Sequence, residues 1–137
     1  MKVRMLGHEE LARRWGNIVD MVDRSLAHGG GTTSSHILFV QCLASQAQCW
    51  VREDEYGIIH GVAITRYEQF DTMKMLAIVC TTSEGWFEHG PSILTDLEEF
   101  ARHTDCKRMV VYGRKGWVRT LKQYGYEEPY VTLMKEI

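Results

Sequence analysis

The residue that stands out as a candidate for chemistry is Cys80, a thiol close to the end of an apolar segment. A thiolate there could act as a nucleophile, but no histidine is placed by sequence to activate it. A free cysteine on a buried strand is ordinarily a small hydrophobic residue. The favoured interpretation of Cys80 is therefore a core residue.

Histidines raise the separate question of a metal site. Their spacings never give the close pairs that zinc sites use, since they stand at His8, His28, His36, His60, His89 and His103. We therefore predict polar or capping roles for them and no metal site.

Two turns that contain or adjoin glycines carry residues that could hold a ligand. Gly113-Arg114-Lys115-Gly116 precedes a predicted helix and could bind a phosphate or carboxylate, although an exposed basic turn explains it equally well. Trp86 and Trp117 lie beside glycine turns, where large aromatic residues can wall a pocket or anchor a protein partner. They could equally belong to the core, and the sequence leaves both alternatives open.

Length and composition indicate the kind of protein that carries these residues. The chain of 137 residues predicts one domain, 1–137, large enough to bury a core without disulfides. A net charge of -2 gives no electrostatic reason to expect a nucleic acid or membrane partner. The four cysteines form no CxxC pair, and no export signal or apolar span is evident, so we expect a cytoplasmic protein.

The first half of the chain predicts two helices and a hairpin. Apolar residues at helical spacing run from Trp15 to Leu26, and the glycines after His28 end that helix. Ser34 or Ser35 can cap a second helix that continues to about Ser45 and buries Ile37, Leu38 and Cys42 or Leu43. From Gln48 to Tyr67, β-branched and aromatic residues on either side of a polar turn predict a hairpin.

The segment from Met73 to Thr82 is apolar on both sides. Alternation places Met73, Met75, Ala77 and Val79 on one face and Leu76, Ile78 and Cys80 on the other. A strand that is apolar on both faces is covered on both faces. This segment is therefore predicted to lie in the middle of a sheet flanked by helices.

The last third predicts helix, strand, helix and strand. Pro91 suits the first turn of a helix, Met109 to Tyr112 forms a short buried strand, and Gly125 stops a further helix. A final strand is expected from Tyr130 to Lys135. With an additional short strand at Val3 to Leu6, the order predicts an α/β fold with a mixed, mostly antiparallel central sheet flanked by helices.

In this order of elements the chain resembles the GNAT superfamily of acyl-CoA N-acyltransferases over most of its length. The segment WVRTLKQYGYEE, residues 117–128, is similar to the family's helix that closes in a Gly-Phe/Tyr-Glu turn. The hairpin QCWVREDEYGIIHGVAIT, residues 48–65, and the turn GRKGW, residues 113–117, are similar to GNAT-like proteins of tailed bacteriophages and prophages. The resemblance implies a GNAT-like fold.

The resemblance also implies acetyl-CoA as cofactor, bound by backbone N–H groups at a helix N-terminus. The family's loop motif, Arg/Gln-x-x-Gly-x-Gly/Ala, corresponds here to Phe87-Glu88-His89-Gly90-Pro91-Ser92. Gly90 matches the first glycine, but Phe87 replaces the Arg/Gln, Ser92 replaces the second glycine, and Pro91 removes an N–H group. The pyrophosphate loop is thus degenerate, and the implied cofactor-binding residues are Val79, Cys80, Thr81, His89, Gly90 and Ser92.

Acetyl transfer to an amine needs a base for the ammonium proton and an acid for the departing thiolate. The resemblance implies Glu68 or Asp71 as base, acting through water, and Tyr112 or Tyr124 as acid. Leu121 stands where the family often has a tyrosine for the second role. Carboxylates in turns are usually only solvated, and tyrosines in the apolar stripe of a helix are usually core residues. The catalytic roles therefore compete with a solvated turn for Glu68 and Asp71 and with core packing for Tyr112 and Tyr124.

Two function classes follow from the resemblance. One is an acetyl-CoA-dependent N-acetyltransferase that acts on a small-molecule or protein amine. The other is a non-catalytic GNAT-like phage protein, a virion component or host-interaction factor, with a phage or host protein as partner. An exposed final strand could also pair with a second copy as a homodimer.

Overall fold

The computed structural model describes residues 2–82, 92–113 and 115–137. Within these ranges the elements are β1 Lys2–Met5, α1 His8–Leu26, α2 Ser35–Leu43, β2 Ala47–Glu53, β3 Ile59–Gln69, β4 Lys74–Thr81, α3 Ser92–His103, β5 Arg108–Val111 and α4 Lys115–Lys122. The strands form one sheet in chain order, antiparallel except for the parallel pair β4 and β5. The predicted mixed, mostly antiparallel sheet is confirmed. No helix in the described ranges is long and apolar enough to cross a membrane.

Helices cover both faces of the sheet. On one face, α1 and α2 pack Ile18, Val22 and Leu38 against strand residues such as Ile64. On the other face, α3 and α4 pack against a second cluster that includes Ile78. Burial between two layers explains why β4 is apolar on both sides, so its prediction as a covered strand inside the sheet is confirmed.

The first two helices follow their predicted signals closely. Helix α1 begins at His8, earlier than its apolar stripe indicated. The carboxylates of Glu9 and Glu10 in its first turn interact favourably with the positive end of the helix dipole. Helix α2 is capped by Ser34, whose Oγ accepts a hydrogen bond from the Ile37 N–H at 3.2 Å. The predicted burial of Ile37 is wrong, because its side chain lies on the outer side of α2 and is 46% exposed.

One extra residue in β4 changes the face of its last residues. Ile64 pairs with Cys80 and Thr65 pairs with Ile78, so Val79 has no opposite residue and forms a β-bulge. A bulge inverts the alternation beyond it. Cys80 therefore packs with the α1 and α2 cluster, away from Leu76 and Ile78, and its predicted placement on their face is wrong.

The predicted final strand from Tyr130 to Lys135 is wrong. The described residues after Gly125 form no strand, and Leu133 is 90% exposed. A β-rich sequence becomes a strand only where a neighbouring backbone satisfies its hydrogen bonds. Here the tail passes Gly30, since a Cβ built on that glycine would lie 4.0 Å from Met134 Cε.

A cluster of charged side chains lies at the β1 edge of the sheet. Arg4 on β1 donates to both carboxylate oxygens of Glu10 at 2.7 Å, and Arg14 donates to Glu10 at 3.1 Å and Glu53 at 3.2 Å. The hydrogen bonds from Arg4 lower the pKa of Glu10 to about 2. This cluster joins β1, β2 and the start of α1.

Candidate active site

The sheet opens between β4 and β5. Their pairing runs from Met75 with Arg108 to Ile78 with Val111, and the Tyr112 N–H reaches the Ile78 carbonyl at 3.4 Å. Beyond Ile78, β4 continues to Thr81, while β5 ends at Val111. β4 therefore continues beyond the last residue that pairs with β5, and ligands of open sheets bind in crevices at such carboxyl ends of parallel strands.

The bulge at Val79 stands where this separation begins. It is the first residue past the last β4–β5 pair, and its side chain is half-buried. A bulge re-aims side chains and interrupts the regular ladder, which is why bulges recur beside functional sites. Of the residues predicted to bind cofactor, Val79 is thus placed at the opening of the crevice.

Cys80 and Thr81 are placed less favourably for direct contact. Cys80 is buried beneath α1, with its Sγ 4.0 Å from the Val22 carbonyl oxygen, and burial raises its pKa to about 11. A thiol with that pKa stays protonated at neutral pH, which supports the core interpretation of Cys80. The Thr81 N–H already donates to Ser25 Oγ at 3.2 Å.

Two of the predicted catalytic residues contact each other across β4, with Tyr112 next to the opening. The Tyr112 hydroxyl donates to Glu68 Oε1 at 2.5 Å. Register explains the contact, because Glu68 and Ala77 lie on the same face as Val110 and Tyr112, and the small Ala77 side chain leaves room across β4. A carboxylate and a phenol from strands two apart are thereby joined at the end of β5.

The Tyr112 hydroxyl is protonated at neutral pH. Partial burial of the hydroxyl, followed by the hydrogen bond to Glu68, raises the pKa of Tyr112 to about 12. Nearby Arg66 acts in the opposite direction. A phenol held protonated beside a carboxylate can donate a proton to a developing thiolate, while the carboxylate can accept one from an ammonium group.

The structure does not bring the other two predicted residues to this pair. Asp71 lies exposed in the turn between β3 and β4. Tyr124 follows α4 and packs against the core cluster formed by α3 and α4. Asp71 is thus a solvated turn carboxylate and Tyr124 is a core tyrosine, the alternative roles considered for them.

The predicted pyrophosphate loop lies mainly outside the described residues. His89 and Gly90 fall in that gap, as do Trp86, Phe87 and Pro91, while Ser92 is the first residue of α3. The described parts are compatible with acetyl-CoA in two respects. The crevice opens at the end of β4, and the first turn of α3 carries no acidic residue that would repel a phosphate.

The turn after β5 has a steric role. A Cβ built on Gly113 would lie 2.8 Å from Trp117 Cε3, so glycine is required for the indole ring to pack there. Trp117 is half-buried against the cluster of α3 and α4. Of the two alternatives for Trp117, the structure places it at the edge of the core.

Sequence reasoning missed Ser25. Its Oγ donates to the Thr81 carbonyl oxygen at 2.8 Å and accepts from the Thr81 N–H, across 56 positions of the chain. A serine near the end of a helix carries no local signal of such a contact. Only the packing of α1 over β4 reveals it.

Comparisons with known proteins identify the fold. No protein-family profile and no curated protein matches the sequence. Among solved structures, a probable acetyltransferase superposes with a TM-score of 0.74 at 12% identity, over 100% of this chain and 98% of its own. A predicted acetyltransferase with acetyl-CoA from Clostridium acetobutylicum gives 0.71 at 14% identity, over 97% of this chain and 95% of its own.

A third similar structure is glucosamine-6-phosphate N-acetyltransferase from Arabidopsis thaliana, with a TM-score of 0.69 at 14% identity, over 98% of this chain and 97% of its own. Identities this low establish the fold and leave the activity to the residues of the site. The five-stranded sheet, its parallel β4–β5 pair and its two layers of helices are therefore those of the GNAT acetyltransferase fold.

Proposed function

We propose that the chain is an acetyl-CoA-dependent N-acetyltransferase that uses Glu68 and Tyr112. The observation that carries the proposal is their hydrogen bond of 2.5 Å, which spans β4 from Glu68 on β3 to Tyr112 just after β5. The similarity to acetyltransferase structures, one of which holds acetyl-CoA, supports the same reaction class. Fold similarity alone would not, because one fold serves many functions.

When bound, acetyl-CoA supplies an acetyl thioester whose carbon an amine nitrogen attacks and whose carbon–sulfur bond breaks. The residues around the crevice would hold it, with Val79 at the opening and the first turn of α3 toward its phosphates. Glu68 accepts the proton of the acceptor ammonium through water. Once that first proton has passed to solvent, Glu68 would take the second proton from the attacking nitrogen as the amide forms. Tyr112, protonated at neutral pH, would donate its proton to the leaving sulfur and recover one through Glu68.

Acetyl-CoA binding is the first measurement. A ligand that binds only the native state raises the melting temperature, so saturating acetyl-CoA should give a clear upward shift. No shift at high excess would refute the acetyltransferase proposal. Desulfo-CoA or dephospho-CoA as comparison ligands would show whether the thiol or the phosphates carry the binding.

Site variants then test the two residues. In a thiol-release assay over a panel of small amines and peptides, Glu68→Gln and Tyr112→Phe should each lower kcat by about 100-fold, the scale of general acid–base catalysis. Asp71→Asn and Tyr124→Phe are matched controls that change the same groups away from the pair, and they should stay within about twofold of wild type. Equal losses in all four variants would contradict the assignment.

A second candidate is a non-catalytic role in protein binding, with a phage or host protein as partner. It is favoured by apolar side chains that lie exposed on the outer face of α2, namely Ile37, Val40 and Leu43, and by the exposed tail. Exposed apolar groups that recur along one helix face often mark interaction sites. A partner that binds wild type and Glu68→Gln equally, but not Val40→Lys, would support this role.

A further inference from the structure

Two opposite charges, Arg66 and Glu68, lie two residues apart on the same face of β3. Arg66 pairs with Ala77 and Glu68 with Met75 on β4, and every second residue of a strand points to the same side. Two residues of a strand span about 7 Å. Both side chains are half-buried. This face of the sheet therefore presents a positive and a negative group within reach of one small molecule.

Neither charge is neutralised by an ion pair. Among the residues that the structure describes, the salt bridges involve other side chains. A neutral group holds each of the two instead, since the Tyr112 hydroxyl donates to Glu68 at 2.5 Å and Arg66 Nη1 donates to Gln41 Oε1 at 3.4 Å. Taking a charge out of water costs free energy that an opposite charge normally offsets. Both groups can therefore still gain from a ligand of opposite charge.

The strand register brings Arg66 next to the proposed catalytic pair. Arg66, Ala77 and Val110 lie at one level on three neighbouring strands. The contact from Tyr112 to Glu68 crosses this level, because the two residues lie on opposite sides of it along the strands. Burial raises the pKa of Tyr112 to about 12, and the positive charge of Arg66 acts in the opposite direction, as a nearby guanidinium does.

The guanidinium of Arg66 suits an anionic group of a ligand. Its five N–H donors form a planar fork that matches a carboxylate or a phosphate. In the described part of the chain its hydrogen bond to Gln41 uses Nη1 alone, which fixes the side chain and leaves the rest of the fork available. Arg14 differs, because it donates to two carboxylates and a carbonyl oxygen at the β1 edge. Arg14 serves the fold, whereas Arg66 has donors to offer.

We propose that the acceptor substrate is a small amine that also carries an anionic group, and an amino acid is the simplest example. Its ammonium group binds at Glu68, which accepts the proton, and its carboxylate or phosphate binds at Arg66. The nitrogen then attacks the acetyl thioester as in the proposed function, so the products are the N-acetylated acid and CoA. This inference rests on that function. It adds Arg66 as a specificity-determining residue that contacts the acceptor and none of the reacting atoms.

Matched pairs of amines test the anionic group. Amino acids and their amides form one set of pairs, and 2-aminoethyl phosphate and ethanolamine form another, so the two sets also distinguish a carboxylate from a phosphate. In a thiol-release assay with acetyl-CoA, the anionic member of at least one set should have a kcat/KM about 10- to 100-fold above that of its neutral partner. This is the scale of a hydrogen bond to a charged group.

Variants then test the assignment to Arg66. Arg66→Gln should abolish the preference by raising the KM of the anionic amine about 10- to 100-fold. Arg66→Lys keeps the charge without the fork and should retain part of the preference. Arg108→Gln is the matched control, because Arg108 is an exposed arginine that pairs with Met75 on the same face of the sheet, and it should keep the full preference.

Calorimetry without acetyl-CoA gives a readout that does not need catalysis. The preferred anionic amine should bind wild type and Arg108→Gln equally and Arg66→Gln at least about tenfold more weakly. Equal kcat/KM within every pair in an active wild type would overturn this inference and leave the proposed function standing. A preference that survives in Arg66→Gln would overturn the role of Arg66. Binding that depends on Arg66, without transfer to any amine, would overturn the proposed function and support the anion site.

Discussion

The two halves of β4 differ in how they are held. From Met75 to Ile78 the strand is paired on both sides, to β3 and to β5, and Leu76 and Ala77 are fully buried. From Val79 to Thr81 it bulges, leaves β5 and is fixed by a serine side chain. One strand of eight residues thus combines a regular segment that stabilises the fold with an irregular one beside the candidate active site.

The contrast shows where sequence determines function in this fold. The regular half needs only apolar residues of suitable size, which many sequences supply. The irregular half depends on a particular contact from elsewhere, the side chain of Ser25 on α1. The pair of Glu68 and Tyr112 spans β4 from the level of Met75 to that of Ile78, so it also depends on the register of three strands. Changes to the buried residues of the regular half should therefore affect stability, and changes to the side chains that form these long-range contacts should affect binding and catalysis.

Truncation of a residue in the regular half should give the largest loss of stability. Leu76→Ala leaves a cavity between the sheet and α3, and its free energy of unfolding should fall by about 3 kcal/mol. Val79→Ala, in the half-buried bulge, should lose only about 1 kcal/mol by the same reasoning. Urea unfolding measures both, and equal losses would contradict the division of β4 into two halves.

Substitution of a glycine in the turn after β5 tests how tightly that turn packs against α4. Gly113→Ala would drive a methyl group into the Trp117 ring, and we expect a loss of about 2 kcal/mol. Gly116→Ala is the matched control, because nothing lies within 4 Å of its Cβ and it is inside α4. Alanine is a better helix former than glycine, so that variant should gain up to about 1 kcal/mol.

The regular parts of the fold were predictable from the sequence because their signals are local. Helical spacing, the Ser34 cap and the glycines after α1 depend on near neighbours, and α1, α2 and the hairpin were all predicted. The apolar character of β4 on both faces indicated its place inside the sheet. Each of these features needs only a short window of sequence.

The irregular parts were not predictable for the opposite reason. The bulge at Val79 depends on the register of β3 against β4, and it reversed the predicted face of Cys80. The predicted final strand does not form, because a strand needs a neighbouring backbone to pair with and a local sequence pattern cannot show whether one is present. Glu68 and Tyr112 were both candidates, but only three-dimensional register selects them from Asp71 and Tyr124.

The charged cluster at the β1 edge of the sheet should give the smallest change in stability, and it lies away from the candidate active site. The pKa of Glu10, about 2 against an ordinary 4.5, is lowered chiefly by hydrogen bonds from Arg4. A depressed carboxyl pKa means that the ionised form stabilises the fold. That stability is fully present above about pH 4.5 and is lost as pH falls toward 2.

Glu10→Gln should therefore lower the free energy of unfolding by about 1 kcal/mol at pH 7, a value reduced by solvent screening at this partly exposed site. The difference from wild type should shrink toward zero near pH 2, where wild type has also lost the charge. Glu9→Gln is the matched control, an exposed carboxylate in the same helical turn. Since the cluster lies on β1, β2 and α1, acetyl-CoA affinity at pH 7 should be unchanged in both variants. A weaker affinity in Glu10→Gln would mean that the sheet margin and the crevice are coupled.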